Sequence, residues 1–523
     1  MIAILTRSFW LFLLVGLLIR IWNVSDPIVD AMHTRQGQTA DAIRSLIEEP
    51  GFQLDSNTSW RGTRPARLIL ELPVYSLLTQ GLYEVFAGQF YGTHPPKPGG
   101  ADPHLIDISA RITSVIFWAL SFFLVQGIWS RFLTAPQLFW ANCVFVFAPL
   151  SVFFGQAVML EMVFLAASLA FVLTVLRYAE RPSLLRFGLV ILTALIGCLM
   201  KFPAFSHLGL LAIAILWRAH GLRFLFRPIH FVGAAVVLVG LKWWSAYVTL
   251  VNVSAFSFWT SEETLRSFLG TFHDRISPEL YLKVAGYIAA FILSPLGAVF
   301  AGVGIFQVWK QSPSPARFFL LAWCGSSVVY LLVWGVATAG QHSYYNIPFL
   351  VPAAMLFATG IVYFVDSLHA KFSLRLARAV TLLVCAALFI PMAVMSAYLF
   401  REDRILVTTA DWIRNNVPVG EPVAIKLNHR PQTIDYMHVP VVAYYSGHPC
   451  FMLTKYTPKG EYELGLSQCR FLVETLPQKP DALMAFATKL KGADRPIDPL
   501  TRAQEVGFVA GPVLESGIRI WTK

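Results

Sequence analysis

Long hydrophobic runs dominate the chain, and its polar residues collect in a few places between them. Eleven runs approach the about 20 helical residues needed to cross a bilayer core: residues 6–24, 107–129, 135–155, 157–177, 184–200, 203–218, 229–249, 281–309, 316–338, 345–366 and 376–399. The fifth and sixth are short and separated only by Lys201-Phe202-Pro203. The stretch Ser8 to Asn23 resembles a signal peptide. No small-x-small cleavage site follows it, so it reads as an uncleaved first span.

Loop charge sets an orientation. With the N-terminus and Arg7 inside, the inner connections carry Arg131, then Arg177, Arg181 and Arg186, then Arg218, Arg223 and Arg227, then Lys310 and Arg317, then Lys371, Arg375 and Arg378. Every inner connection is basic, as the positive-inside rule requires. An odd number of spans then places the C-terminus outside.

Three outer segments are long. The first, 25–106, holds a polar stretch, Asp30-Ala31-Met32-His33-Thr34-Arg35-Gln36, and after it residues 37–48 can form a short polar-faced helix. Further on, Arg67 to Phe86 is apolar but interrupted by Glu71 and Pro73, which predicts an interfacial or re-entrant helix rather than a span. The second, about 250–280, carries Phe256, Phe258 and Trp259 and a predicted helix from Ser261 to Asp274. It reads either as a lid or as an aromatic interfacial loop. The third is the tail, 401–523, where the composition turns soluble. Helices are predicted around Asp411–Asn416 and Pro480–Leu490. Strands are predicted at Val423–Leu427, Val439–Tyr444, Phe451–Leu453, Phe471–Glu474 and Ile518–Trp521. The fold class is thus a polytopic α-helical membrane protein of about eleven transmembrane helices (residues 1–400) with a C-terminal soluble α/β domain (401–523).

Composition agrees. Of 523 residues, 56% are hydrophobic and only 14% charged, and the mean hydropathy is +0.60. A soluble chain of this size needs far more polar surface. The net charge of +11 belongs to short inner loops, and no basic stripe suited to nucleic acid is present. Cys143, Cys198, Cys324 and Cys385 lie in apolar runs and read as inert. Cys450 and Cys469 lie in the tail, where a disulfide between them is open. No CxxC or Cys/His metal pattern occurs.

Five ionisable residues from distant parts of the chain fall on the outer face in this topology: Asp30, Glu71, Glu161, Lys201 and His342. Asp30 has His33, Arg35 and Gln36 within two helical turns. Glu71 sits among Leu68, Ile69, Leu70 and Leu72, a setting in which a charge needs a partner. Glu161 lies about one turn inside the bilayer, where ionisable groups mark function. Lys201 can bind a phosphate or snorkel to the interface. His342, with Tyr344 and Tyr345, can contact a head group or metal, or serve as an interfacial anchor.

These motifs resemble the GT-C glycosyltransferases of the protein O-mannosyltransferase and aminoarabinose-transferase superfamily. The resemblance rests on Asp30 after the first span, Glu71-x-Pro73, Ser109-Ala110-Arg111-Ile112, Met159-Leu160-Glu161 and Met200-Lys201-Phe202-Pro203. It extends to His342-x-Tyr344-Tyr345-x-x-Pro348 and to Asp411-Trp412-Ile413 with Asn416 and Pro418-x-Gly420. The His33-Thr34-Arg35-Gln36 version is closer to bacterial envelope sugar transferases than to protein mannosyltransferases. The chain departs from the family pattern at Glu161, Leu72 and Phe202, where Asp, Lys and Gly are common.

The resemblance implies an inverting transfer of a sugar from a polyprenyl-phosphate donor to an extracytoplasmic lipid, glycan or protein acceptor, at the cell inner (plasma) membrane with the tail periplasmic. Asp30 would be the general base. His33, Arg35, Gln36, Glu71, Glu161, Lys201, His342, Tyr344 and Tyr345 would contact substrate. Lys201, Arg35 or a divalent metal would neutralise the leaving phosphate, with Glu71 and His342 the candidates for a metal or head-group contact. Two other classes stand beside it. A lipid-linked sugar flippase or transporter would show mid-membrane polar groups and internal symmetry, neither of which is visible. A scaffold would use the tail to bind a partner.

Overall fold

The computed structural model describes the chain except residues 1, 50, 62–66, 70, 89–99, 256–267, 340–342, 403, 428–438, 453–466, 476–507, 515–517 and 523. The helices, in chain order, are α1 (Ile2–Ile21), α2 (His33–Glu48), α3 (Val74–Phe86), α4 (Pro103–Trp129), α5 (Ala135–Phe147), α6 (Pro149–Phe154), α7 (Glu161–Glu180), α8 (Leu184–His220) and α9 (Leu222–Leu225). They continue as α10 (Pro228–Ala255), α11 (Phe272–Ile276), α12 (Pro278–Ile288), α13 (Pro295–Lys310), α14 (Pro315–Ala339), α15 (Leu350–Lys371), α16 (Leu374–Leu399), α17 (Arg404–Asn416) and α18 (Val439–Ser446). A 3-10 turn, Ser343–Phe349, leads into α15. The chain divides into two compact units. The first comprises Met1–Val24, Leu70–Tyr75 and Arg111–Phe400, and the second Ser25–Ile69, Ser76–Ala110 and Arg401–Lys523.

The first unit holds most of the apolar helices. Among the described residues, seven helices are long and apolar enough to cross a membrane, or eight if the bent pair Pro278–Leu293 and Pro295–Lys310 counts as one span. The sequence suggested eleven, and the difference has local causes. Runs 184–200 and 203–218 form one helix, α8, with a kink at Lys201. Run 135–155 breaks at Ala148-Pro149 into α5 and α6. Run 281–309 turns through 104° at Ser294, whose φ of 64° is left-handed. In α1 the described apolar part, Ser8–Ile21, is a short helix.

One of these breaks is repaired by specific groups. Pro149 has no N–H, so carbonyls near the end of α5 need other donors. Arg20, fully buried, donates to Val146 O at 3.2 Å and to Ser151 Oγ at 2.9 Å. Its guanidinium lies 3.7 Å over the Trp118 ring. Ser151 Oγ in turn donates to Phe145 O at 2.5 Å. Helices α13 and α15 cross backbone to backbone at Gly304 and Gly360. A Cβ on either would overlap a carbonyl of the facing helix, at Leu356 or Phe300. Small residues serve such crossings in lipid, where no hydrophobic drive joins helices.

In the second unit, β1 (Ser56–Asn57) pairs antiparallel with β2 (Arg67–Leu68). Part of the predicted interfacial stretch 67–86 is therefore a strand, and its helix, α3, starts only after Pro73. Five more strands, β3 (Val423–Leu427), β4 (Cys450–Met452), β5 (Phe471–Thr475), β6 (Val509–Val513) and β7 (Ile518–Thr522), make a mixed sheet in the order β4-β3-β5-β7-β6. Strand β3 runs parallel to β4 and β5, and β7 antiparallel to β5 and β6. One face is closed by Ala424, Phe451, Cys469, Leu472, Phe508 and Trp521. Cys450 and Cys469 are both buried free thiols.

The predicted strand Val439–Tyr444 is a helix, α18. Its β-branched and aromatic residues are all buried, and burial against neighbours outweighs strand propensity. Strand β6 was not expected. The predicted helix Pro480–Leu490, Phe256, Phe258, Trp259 and most of the predicted helix from Ser261 lie outside the described residues. The described part of that region includes α11, capped by Thr271 and Asp274.

Candidate active site

The predicted site residues fall into two groups, one in each unit. In the second unit, Asp30 precedes the first turn of α2, and Met32 adopts a left-handed conformation (φ 59°) as the helix N-cap. That turn swings the chain so that residues after it fold back on Asp30. Gln36 Nε2 donates to the Asp30 carboxylate and, at 2.9 Å, to Ala31 O. His33 Nδ1 meets Asp30 O at 2.9 Å. A carbonyl can only accept, so Nδ1 carries the proton, and in the neutral ring Nε2 is the acceptor. Asp30, His33 and Gln36 are buried, while Arg35 is half-buried and reaches Gln38 at 3.4 Å. The Asp30 carboxylate, just before the helix N-terminus, is oriented by this amide donor. An ionised, oriented carboxylate is what a general base requires.

Helix α2 is locked in place by residues that the sequence reading did not single out. Asp41 accepts from Arg44 at 2.6 Å and from Ser59 Oγ at 2.7 Å. Arg44 donates to Tyr444 O at 2.8 Å. At Gly37 a Cβ would stand 2.8 Å from the Val441 backbone nitrogen, so only glycine lets α2 lie this close to α18. The loop leading to Asp30 is held by Tyr445, whose hydroxyl accepts from Ile28 N at 2.8 Å and donates to Asp107. Tyr444 Oη donates to the other Asp107 oxygen at 2.9 Å. Burial, reinforced by the Asp107 charge, pushes the Tyr444 phenol well above its usual range, so it remains a donor.

In the first unit, Glu161 opens α7 and Lys201 stands at the kink of α8, where its backbone is extended (φ −159°, ψ 69°). Lys201 Nζ lies 2.6 and 2.8 Å from the two Glu161 oxygens. It also lies 4.2 Å from the Tyr344 ring centroid and 4.6 Å from that of Tyr345. Glu161, Lys201, Tyr344 and Tyr345 are all buried. Tyr330 Oη holds the turn by donating to Tyr345 O at 2.9 Å.

Glu71 belongs to the same neighbourhood for a reason rooted in the kink. Pro203 cannot donate to Leu199 O, the acceptor four residues before it. Leu72 N–H takes that carbonyl instead, at 3.4 Å. Glu71 is thereby set beside the break, within electrostatic reach of Tyr345. His342 lies outside the described residues. Among the described residues, no group of three or more His, Cys, Asp or Glu side chains could hold a metal ion, and the Glu161 carboxylate is engaged by an ammonium.

No protein-family model matches the sequence, and no curated protein sequence does. Solved structures do match. The chain is similar to ArnT from Cupriavidus metallidurans, crystallised in the apo state, with a TM-score of 0.57 and 14% identity over 99% of this chain and 98% of that one. It is also similar to the arabinofuranosyltransferase AftD from Mycobacteria, with a TM-score of 0.51 and 12% identity. That match covers 99% of this chain and 40% of the longer AftD. The chain thus shares its fold with these two structures.

Proposed function

We propose that this chain, a protein of the GT-C fold, is an integral membrane glycosyltransferase. In this reading it moves a sugar from a polyprenyl-phosphate donor to a hydroxyl of an extracytoplasmic lipid, glycan or protein. Residues 401–523 contribute an extracytoplasmic α/β domain, in the periplasm. The acceptor O–H proton goes to the Asp30 carboxylate as the oxygen attacks the anomeric carbon. The bond from that carbon to the phosphate oxygen breaks, and the polyprenyl phosphate leaves with its electron pair. The sugar is inverted. Gln36 orients the Asp30 carboxylate, and His33 and Arg35 contact substrate. Lys201 supplies positive charge to the departing phosphate. Glu161 and Glu71 set the position and charge of that lysine's surroundings, with Tyr344, Tyr345 and His342 contacting the head group.

The observation that carries this reading is the oriented Asp30 carboxylate on a fold shared from end to end with ArnT. The test is transfer by the purified chain in lipid nanodiscs, with polyprenyl-phosphate sugars as donors, alongside mass spectrometry of envelope glycolipids and glycans from a deletion strain. Asp30→Asn is expected to fold and to lose about 10²–10⁴ in turnover, the scale of a general base. A folded Asp30→Asn variant that transfers at the wild-type rate refutes the assignment. Flipping of a lipid-linked sugar without any glycosylated product refutes the transferase itself.

A further inference from the structure

A small cavity of about 20 Å³ lies between α7, α8, α14 and the turn into α15. Its walls are mostly apolar, with Phe164, Leu208 and Val351 among them. Three polar side chains also line it: Ser168 from α7, His207 from α8 and Trp323 from α14. All three are more than nine-tenths buried, at 7%, 3% and 3% exposure. Ser168 Oγ and Trp323 Nε1 have no hydrogen-bond partner among the described residues, and the His207 ring reaches only the Ala204 carbonyl, outside good hydrogen-bond geometry.

Under-satisfied polar groups on three side chains around one chamber are costly if it is dry. A buried polar group without a partner forfeits its hydration. The His207 ring itself stacks against Tyr330 at 5.2 Å, which satisfies its faces but not its nitrogens. The chamber needs an occupant that accepts from an indole N–H, donates to or accepts from a hydroxyl, and does the opposite of whatever the imidazole presents. Water does all three. A single molecule needs roughly 10–15 Å³ of such space and two to four polar partners, and the cavity supplies both.

We propose that this chamber is a built water site, and that its water ties His207 to Ser168 and Trp323. The bridge fastens the half of α8 that follows the Lys201 break to α7 and α14. His207 is then a positioning residue. It lies six residues after Lys201, and its stacking partner Tyr330 holds the carbonyl of Tyr345. The proposal stands on the first unit alone and does not depend on the reaction.

Two measurements on the full chain in nanodiscs test it. In a map that resolves interior waters, density is expected within hydrogen-bond distance of His207 and at least one of Ser168 and Trp323. In thermal melts, His207→Phe removes the nitrogens and keeps the ring, and is expected to lower Tm by about 2 °C or more. His207→Gln, which can still reach a water, is expected to recover part of that loss. A dry chamber rewards the loss of an unpaired polar group. A His207→Phe variant as stable as the wild type, or more so, therefore overturns the proposal. So does a chamber without density in a map showing waters elsewhere in the same unit.

Discussion

Removing one member of the Glu161–Lys201 pair should cost far more than removing both. The lysine bonds both carboxylate oxygens, at 2.6 and 2.8 Å, and the two side chains are 1% and 4% exposed. Lys201→Met leaves the Glu161 charge buried without its ammonium, a change worth about 3–5 kcal/mol. It also removes a cation from over Tyr344 and Tyr345, at 4.2 and 4.6 Å, a contact worth about 2 kcal/mol when desolvated. Glu161→Gln should fall at the lower end of the same range of about 3–5 kcal/mol, because those ring faces still hold the ammonium. The double variant Glu161→Gln/Lys201→Met carries no buried charge. Replacing a whole buried pair by uncharged groups of similar size is often neutral, so the coupling, the two single losses less that of the double, should be at least about 4 kcal/mol, above the usual range for contacting residues. The assay is reversible unfolding in mixed micelles, followed for wild type, both single variants and the double. Additive losses, or single variants within about 1 kcal/mol of wild type, would refute the view that burial makes this pair indivisible.

Other consequences concern the second unit. Gly37→Ala puts a methyl 2.8 Å from the Val441 nitrogen and should destabilise the α2–α18 contact by about 1–3 kcal/mol, seen as faster hydrogen exchange in both helices. Tyr445→Phe strips one donor from Asp107 and the acceptor from Ile28 N. It should cost about 1–3 kcal/mol and expose the amides of 26–30 to exchange, while Tyr398→Phe, a half-exposed position, should do neither. Burial lowers the His448 pKa from its ordinary 6.5, against the pull of Glu421 and with that of Arg414. The unfolded chain then takes up this proton first as the pH falls, so stability is fullest above about pH 6.5 and declines below it. Melts at about pH 7.5 and about pH 5.5 should show the decline in wild type and a smaller one in His448→Gln.

Much of the architecture was legible because hydrophobic runs and helix breakers act locally. The helices α4, α7, α10, α14, α15 and α16 follow the apolar runs closely. Strands β3 and β5 were readable from short β-branched runs between polar residues. The misreadings arose where partners are remote. Val439 to Tyr444 has the composition of a strand, yet α18 is held by Arg44 and by the glycine at 37, about 400 residues earlier in the chain. Nothing within a window of neighbouring residues records that contact. Run 281–309 is apolar on either side of Ser294-Pro295, so its 104° turn there left little trace in hydropathy.

The chemistry divides along the same line. Lys201, Glu161 and the Asp30 stretch stood out because each breaks a local rule, with a charge where the pattern calls for an apolar residue. The α8 kink shows how such a violation becomes geometry. Pro203 orphans the Leu199 carbonyl, the Leu72 amide answers it, and Glu71 arrives beside Tyr345 as a result. Asp107 breaks no such rule. An acid in the early turns of a helix is ordinary, and two adjacent tyrosines are ordinary in a strand. Only the fold shows that Tyr444 and Tyr445 both donate to that buried carboxylate, and that the second also accepts from the backbone two residues before Asp30. Groups proposed to face substrate violate their surroundings and can be read one at a time. The groups that hold them satisfy their surroundings, and are invisible until the chain is folded.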